Sequence, residues 1–361
     1  MVAIHQFVQS FVRHDAVSNH VRHQRDLLRE MGFESEIFWG EQRVDRDPGK
    51  YFREFAPVPG DKTWMMYHLS TATPLTEFLL GCKEPLATVF HNITPVEMIA
   101  PWEPIVGNDL NNARLQYLEI AKRTDFAIGV SQYNANEMMR DGFPKASVAN
   151  VLFDVDDYSK CIDVKLDEKL RTKKEKRGSD WLFVGRIAGN KCQHDIIKAF
   201  AFYKRSFDPN ARLHLVGGLS SHRYWTALHD YVSALNLTES VNLAGGVSDG
   251  ELGAYYKNAD VFVSMSEHEG FGVPLLEAMH NGLPVVAFGG ASAVPETVGN
   301  GGLVLGDKSP ATVAVAVNRV LSDNAVNKAL VEAGHQRVEE LSLAHVKDQW
   351  RKVINSMIES A

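Results

Sequence analysis

Cysteine is scarce in this sequence. Cys82, Cys161 and Cys192 lie far apart and no CxxC pair occurs, which excludes a disulfide framework and a zinc-ligand spacing. Excess basic charge is missing too. The formal net charge is −7, the reverse of the basic footprint of a nucleic-acid binder, so no nucleic-acid partner is expected. No apolar run approaches the roughly 20 residues a membrane-spanning helix requires. The start, "MVAIHQFVQSFVRHDAV", has no basic leader, long apolar stretch or small-residue cleavage site, so no signal peptide is expected. Together these absences predict a cytoplasmic chain and leave room for peripheral contact with the inner face of the cytoplasmic membrane. No GxGxxG opens a helix and no Walker A sequence occurs, which removes the usual nicotinamide and P-loop signatures.

What is present is a repeating rhythm over 361 residues, a length that suits two domains of average size. Short apolar runs read as strands at 2–7, 35–40, 64–70, 86–92, 125–131 and 147–153, then at 181–185, 212–217, 240–245, 260–265, 284–288 and 302–305. Helical patterns lie between them, among them 15–32, 74–81, 194–206 and 248–259. Strands separated by helices imply parallel pairing, hence two open α/β sheets. Ligands of such sheets bind outside the carboxyl ends of the strands, so a cleft between two domains is expected to hold the site. We expect an N-terminal α/β domain over 1–165, a charged linker over 166–180, a C-terminal α/β domain over 181–340, and a terminal helix over 341–361. The basic run from Arg171 to Arg177 reads as a solvated linker; contact with anionic lipid head groups is the alternative. "ATVAVAVNRVL" (311–321) reads as a buried helix face, too short to span a bilayer.

The stretch "SEHEGFGVPLLEAMHNGLPVV" (266–286) carries the densest chemistry. It follows a strand, and Gly270 and Gly272 permit close backbone approach to a ligand. Pro274 suits the first turn of a helix. The N–H groups at that helix start, near Gly272 and Val273, form an anion site supported by the helix dipole. Glu269 lies on the turn and Glu277 is expected within the first helical turn. Each is a candidate sugar or ribose clamp, because a carboxylate accepts two hydrogen bonds from vicinal hydroxyls. Alone, Glu277 would equally complement the dipole and Glu269 would equally be solvated.

"EGFGVPLLE", followed by "GLPVVAF" and "PETVGNGGLVL", resembles the E-x7-E signature of the retaining glycosyltransferases of family 4, which have the GT-B fold of two Rossmann-like domains facing each other across a deep cleft. "WLFVGRIAGNKCQHDIIKAF" is similar to the segment that carries an arginine and a lysine on the donor diphosphate, here Arg186 and Lys191. One guanidinium and one ammonium would balance its roughly two negative charges without a metal. "FHNITPVEM" ends a strand and starts a helix, with Thr94 and Glu97 at capping-box spacing around Pro95. Its resemblance to family members with a histidine there implies that His91 meets the donor sugar. The terminal segment 345–360 is an amphipathic helix that packs on the first domain in such proteins.

One departure from the family is the loop "RHDAVSNH" (13–20), where many members carry a glycine pair. Asp15 and Ser18 are candidates for acceptor hydroxyls, and Asp15 is equally a helix cap. The pair Asp154 and Asp156 imitates a metal-binding Asp-x-Asp and reads as a turn. His14, His20 and His23 read as polar-face residues rather than metal ligands.

The resemblance implies a metal-independent retaining hexosyltransferase with no cofactor. Its expected partners are a nucleotide-sugar donor (GDP-mannose first, then UDP-glucose or a related UDP-sugar) and a glycan or lipid-linked saccharide acceptor, as in polysaccharide or lipopolysaccharide synthesis. Catalytic roles fall to His91, Glu269, Arg186 and Lys191, and donor binding also to Phe271, Gly272, Val273 and Glu277. The alternatives are a sugar-nucleotide epimerase, a non-catalytic sugar-nucleotide-binding protein, and a metal-dependent transferase using Asp154 and Asp156.

Overall fold

The computed structural model describes residues 2–11, 15–43, 49–57, 62–155, 162–174, 178–290 and 292–360. His14, Asp156, Cys161 and residues 175–177 of the basic run lie outside them. The chain forms two compact units, Met1–Val96 with Ile105–Phe153 and Leu341–Ala361, and Glu97–Pro104 with Asp154–Glu340.

The first unit opens with β1 (Val2–Phe11), longer at its end than the 2–7 expected, and α1 (Ala16–Glu30). Next come β2 (Ile37–Arg43), β3 (Lys50–Tyr51), β4 (Lys62–Leu69), α2 (Pro74–Gly81) and β5 (Leu86–Phe90). α3 (Val96–Ile99) lies almost wholly in the second unit, and α4 (Pro104–Arg123), β6 (Phe126–Gly129), α5 (Gln132–Arg140) and β7 (Ala146–Val148) complete the first. The sheet runs β3-β2-β1-β4-β5-β6-β7. Its pairs are all parallel, with Gln6 opposite Met66 and His68 opposite Val89. A parallel sheet covered on both faces buries every residue of its central strands, which is why β5 is apolar or threonine throughout and buried along its length. The strand expected over 147–153 stops at Val148. α4 has no counterpart in the reading above, although Leu110, Ala113, Tyr117 and Ile120 form its buried stripe at helical spacing.

The long stretch of the second unit opens with α6 (Val164–Lys174), which overlaps the segment 166–180 expected to be a linker. It is anchored rather than free: Asp167 takes Asn258 Nδ2 and Lys257 Nζ, each at 2.8 Å, and Leu170 is buried. β8 (Asp180–Val184), α7 (Gln193–Ser206), β9 (Arg212–Val216), α8 (His222–Ala234), β10 (Val241–Gly245) and α9 (Asp249–Asn258) follow. After them come β11 (Val261–Ser264), α10 (Val273–His280), β12 (Val285–Phe288), α11 (Val294–Val298), β13 (Gly302–Leu305), α12 (Pro310–Ser322) and α13 (Asn324–Glu340). The parallel sheet order is β10-β9-β8-β11-β12-β13. Strand order therefore reverses between β8 and β11, the switch point where an open α/β sheet leaves a crevice at its strand carboxyl ends. Trp181, Phe183, Ile196, Phe200, Val263, Val313 and Val317 are among the residues of its apolar core. A buried ion pair also sits in this unit, Arg212 Nε to Asp180 Oδ1 at 2.6 Å.

The last helix, α14 (Leu343–Glu359), belongs to the first unit. Trp350 is fully buried and donates Nε1–H to Asn150 O at 2.8 Å, while Lys347 meets Glu30 at 2.9 Å. Among the described residues no helix is long and apolar enough to cross a membrane.

Candidate functional site

Two loops at the β8/β11 switch point meet in the second unit. After β8, Gly185 (φ +155°) turns the chain toward Arg186, and a single 3-10 turn, Gly189–Lys191, leads into α7. A side chain at 189 would bring its Cβ to 2.3 Å from Met98 O and 2.7 Å from Trp102, so only glycine fits. After β11 comes the loop that precedes α10. Asn190 ties the loops together: its carbonyl accepts Glu267 N–H at 3.0 Å and its Nδ2 donates to His268 O at 3.3 Å. Lys191 Nζ lies 2.6 Å from Glu269 Oε1, both side chains largely buried. Arg186 is exposed, and its guanidinium bonds to none of the described residues. The structure thus brings Arg186, Lys191 and Glu269 to the same end of the sheet.

The helix start is built as its residues require. Gly272 is left-handed (φ +93°) at the N-cap of α10, Val273 follows, and Pro274 occupies the first turn. Phe271 is buried and its carbonyl accepts the Thr297 hydroxyl, which fixes the turn from α11. The first N–H groups of a helix lack intrahelical partners, so this start can receive an oxyanion.

Glu277 differs from the expectation. It sits in the second turn of α10, and no acidic residue lies in the first. It is buried and accepts Tyr256 Oη–H at 2.6 Å. Burial pushes its pKa up from the ordinary 4.5 to about 7; the Tyr256 bond works against the rise, and the Asp249 charge adds to it. It therefore does not serve the dipole as a surface charge would.

In the first unit, His91 follows β5, half-buried, with Nε2 at 3.0 Å from His68 Nδ1. His20, expected on a polar helix face, is instead fully buried beside both rings, 5.1 Å and 5.4 Å between centroids. The reason is register: α1 turns His20 inward with Val21 and Gln24, while His23 stays half-buried. Burial holds all three clustered imidazoles neutral, with His91 pushed down to about 3.

Asp15 caps α1. Its Oδ2 accepts the Ser18 N–H and hydroxyl, each at 2.8 Å, and Ser18 is fully buried. Of the two roles open to Asp15, the cap is the one this geometry displays, and Ser18 offers no hydroxyl to a ligand. Asp154 is half-buried beyond β7. A second cluster, Cys192, His194 and Asp195, could be taken for a metal site. Lys308 already supplies its cation, 2.7 Å from Asp195 Oδ2 and bonded to Glu267.

Sequence reasoning missed Tyr256, Gln6 and His68, which look like ordinary core positions in a string of letters. It also missed a glycine row. Gly185, Gly217 and Gly245 all have positive φ, at +155°, +147° and +70°; the first two directly follow β8 and β9, and the third ends β10. Gly217 N–H bonds to Gly245 O at 2.8 Å, and a Cβ on Gly217 would lie 2.0 Å from Gly185 O. The recurring V-G, V-G-G and A-G-G strand ends were the available signal.

Residues 165–337 match the family model described as glycosyl transferases group 1. A mannosylfructose-phosphate synthase of Agrobacterium fabrum is 38% identical over 110 residues, 29% of this chain and 24% of that protein. A GDP-mannose-dependent alpha-(1-6)-phosphatidylinositol monomannoside mannosyltransferase of Mycobacterium tuberculosis is 32% identical over 164 residues, 43% of this chain and 41% of that one. The chain thus spans less than half the length of the curated relatives it matches. The sucrose-phosphate synthase structure from Thermosynechococcus elongatus superposes with a TM-score of 0.77 at 17% identity, covering 99% of this chain and 100% of that one. At that identity the likeness speaks for the fold, GT-B. The match to the glycosyl transferases group 1 family thus lies in the second unit.

Proposed function

We propose that this chain moves a hexosyl unit from a nucleotide-diphosphate sugar to a glycan or lipid-linked saccharide, with retention and without a metal. The observation that carries the reading is the convergence of Lys191 and Glu269 at 2.6 Å, beside exposed Arg186, on a segment of the group 1 family. Arg186, Lys191 and the N–H groups near Gly272 and Val273 receive the diphosphate, stabilising it as the glycosidic C–O bond breaks. Glu277 accepts the ribose hydroxyls. Glu269 and the backbone from Phe271 to Val273 hold sugar hydroxyls, and His91 is the first unit's contact with the sugar.

Retention ordinarily calls for a carboxylate nucleophile. Glu269 is engaged by Lys191, which lowers its nucleophilicity and favours front-face attack. In that step the acceptor oxygen bonds to the anomeric carbon while the diphosphate oxygen leaves and takes the acceptor's proton. GDP-mannose is the first donor to try, because the Mycobacterium tuberculosis relative is named as GDP-mannose-dependent, and UDP-glucose the next.

Nucleoside-diphosphate release, measured with and without acceptor and with a chelator, tests the reading. Acceptor-dependent release that survives chelation is the expected result. Turnover of donor without acceptor into an epimer indicates an epimerase, binding without turnover a non-catalytic protein, and loss in chelator a metal-dependent enzyme that could use Asp154 and Asp156.

A further inference from the structure

Two of the three clustered imidazoles of the first unit, His68 and His91, are joined with Gln6 in a chain of hydrogen bonds whose directions can be read from one end. Gln6 Nε2 donates to Val21 O at 3.1 Å, so the amide orientation of Gln6 is settled and its Oε1 is the acceptor end. His68 Nε2 lies 3.1 Å from that Oε1, so His68 carries its proton on Nε2. A neutral His68 then has a bare lone pair on Nδ1. His91 Nε2, 3.0 Å away, must be the donor. His91, neutral as well, is left with its lone pair on Nδ1, which bonds to none of the described residues. The chain crosses three adjacent strands, from Gln6 in β1 through His68 in β4 to His91 just past β5.

A metal ion does not fit this cluster, although its ligand atoms lie within 4.8 Å of one another. Leu152 N–H donates to His20 Nδ1 at 2.9 Å, so a neutral His20 carries its proton on Nε2, a buried atom with no partner among the described residues. A metal would need that lone pair free. His68 Nδ1 and His91 Nε2, moreover, already satisfy each other.

We propose that Gln6 and His68 are positioning residues that hold His91 as its Nε2–H tautomer, so that the group His91 offers to the donor sugar is a hydrogen-bond acceptor, Nδ1, for a sugar hydroxyl. The proposal rests on the reading of His91 as a sugar contact. It makes His91 select a hydroxyl that can donate, and a deoxy or O-methyl sugar at that position loses the bond.

Imidazole ¹⁵N shifts of the substrate-free protein test the tautomer directly, without any assumption about function. Wild type is expected to show His68 and His91 protonated on Nε2. His91 protonated on Nδ1, or shifts of all three rings to metal-bound values on adding zinc, overturns the proposal. Next, His68→Leu removes the acceptor, while His68→Asn places Oδ1 near the position of Nδ1. His68→Leu should release the His91 tautomer and cut kcat for transfer roughly tenfold, the worth of about one hydrogen bond; His68→Asn should restore both. Gln6→Met should loosen the His91 tautomer from two residues away. A kcat unchanged in His68→Leu while His91→Ala is impaired sinks the positioning role alone. An unimpaired His91→Ala with the expected tautomer sinks instead the reading of His91 as a sugar contact.

Discussion

The proposed ribose contact of Glu277 predicts that donor affinity depends on pH, and the sign follows from its surroundings. In the free protein its carboxyl is buried against Tyr256 and its pKa is pushed up to about 7. A ribose placed there donates two hydroxyl protons to the ionised form, which pulls the pKa down again. Binding below pH 7 must therefore expel a proton. With a bound pKa below 5, linkage makes the dissociation constant about tenfold weaker at pH 6 than at pH 8, roughly 1.4 kcal/mol, and nearly flat above pH 8. Fold stability runs the other way. A carboxyl whose folded pKa is raised above 4.5 contributes stability that is complete below pH 4.5 and is lost as pH rises through about 7. Rising pH thus takes stability from the unliganded protein and adds affinity to the liganded one. Calorimetry with the intact sugar nucleotide, whose diphosphate has no proton to titrate in this range, reads both the affinity and the proton count when repeated in buffers of different ionisation enthalpy. Glu277→Gln should flatten the profile. The same slope in Glu277→Gln, or proton uptake by wild type on binding, would refute the assignment.

Three other consequences can be measured. In the proposed site Glu269 competes with the diphosphate for Lys191, so Glu269→Gln should tighten the bare nucleoside diphosphate by about fivefold, near 1 kcal/mol, while transfer collapses; weaker binding would remove the competition. Gly217→Ala meets both a left-handed φ and a carbonyl 2.0 Å from the new Cβ, and should lower stability by more than about 3 kcal/mol, whereas Gly32→Ala (φ +87°, open space) should cost only about 1 kcal/mol. Trp350→Ala should destabilise the first unit by about 3–5 kcal/mol, with amide exchange rising first in α14 and around Asn150.

Fold class was legible because parallel strands are buried on both faces and read as short apolar runs between helices, and twelve of the strands appear near their expected positions. Misplaced features share a cause. α6 looked like a linker because its anchor is polar, Asp167 held by Lys257 and Asn258, and polar anchoring leaves no hydrophobic stripe. The run 147–153 looked like one strand because burial continues past Val148 after pairing has stopped. At the site, glycines, the proline and the charged loop residues stand out in the sequence, since backbone conformation and charge are local properties. Their partners do not. Tyr256 lies 21 residues from Glu277, and His68 lies 62 from Gln6; nothing local distinguishes a tyrosine that raises a hydroxyl to a carboxylate from one that fills a core.

That difference bears on which residues govern the chemistry. Lys191 and Glu269 are both ionised groups that a sequence displays, yet in the folded unit each is the other's partner at 2.6 Å, so neither is available to a ligand at its full charge. Among the described residues Arg186 has no such partner. On the proposed function, an incoming diphosphate therefore meets Arg186 first as an uncompensated charge. It gains Lys191 only as Glu269 turns toward sugar hydroxyls, which are donors and restore to the carboxylate what it gives up. A donor with its sugar attached satisfies both halves of that exchange. A bare nucleoside diphosphate satisfies one, leaving Glu269 buried without its ammonium. On that proposal discrimination between substrate and product is a property of the ion pair, and a Glu269→Gln protein should lose it, binding the two with nearly equal affinity.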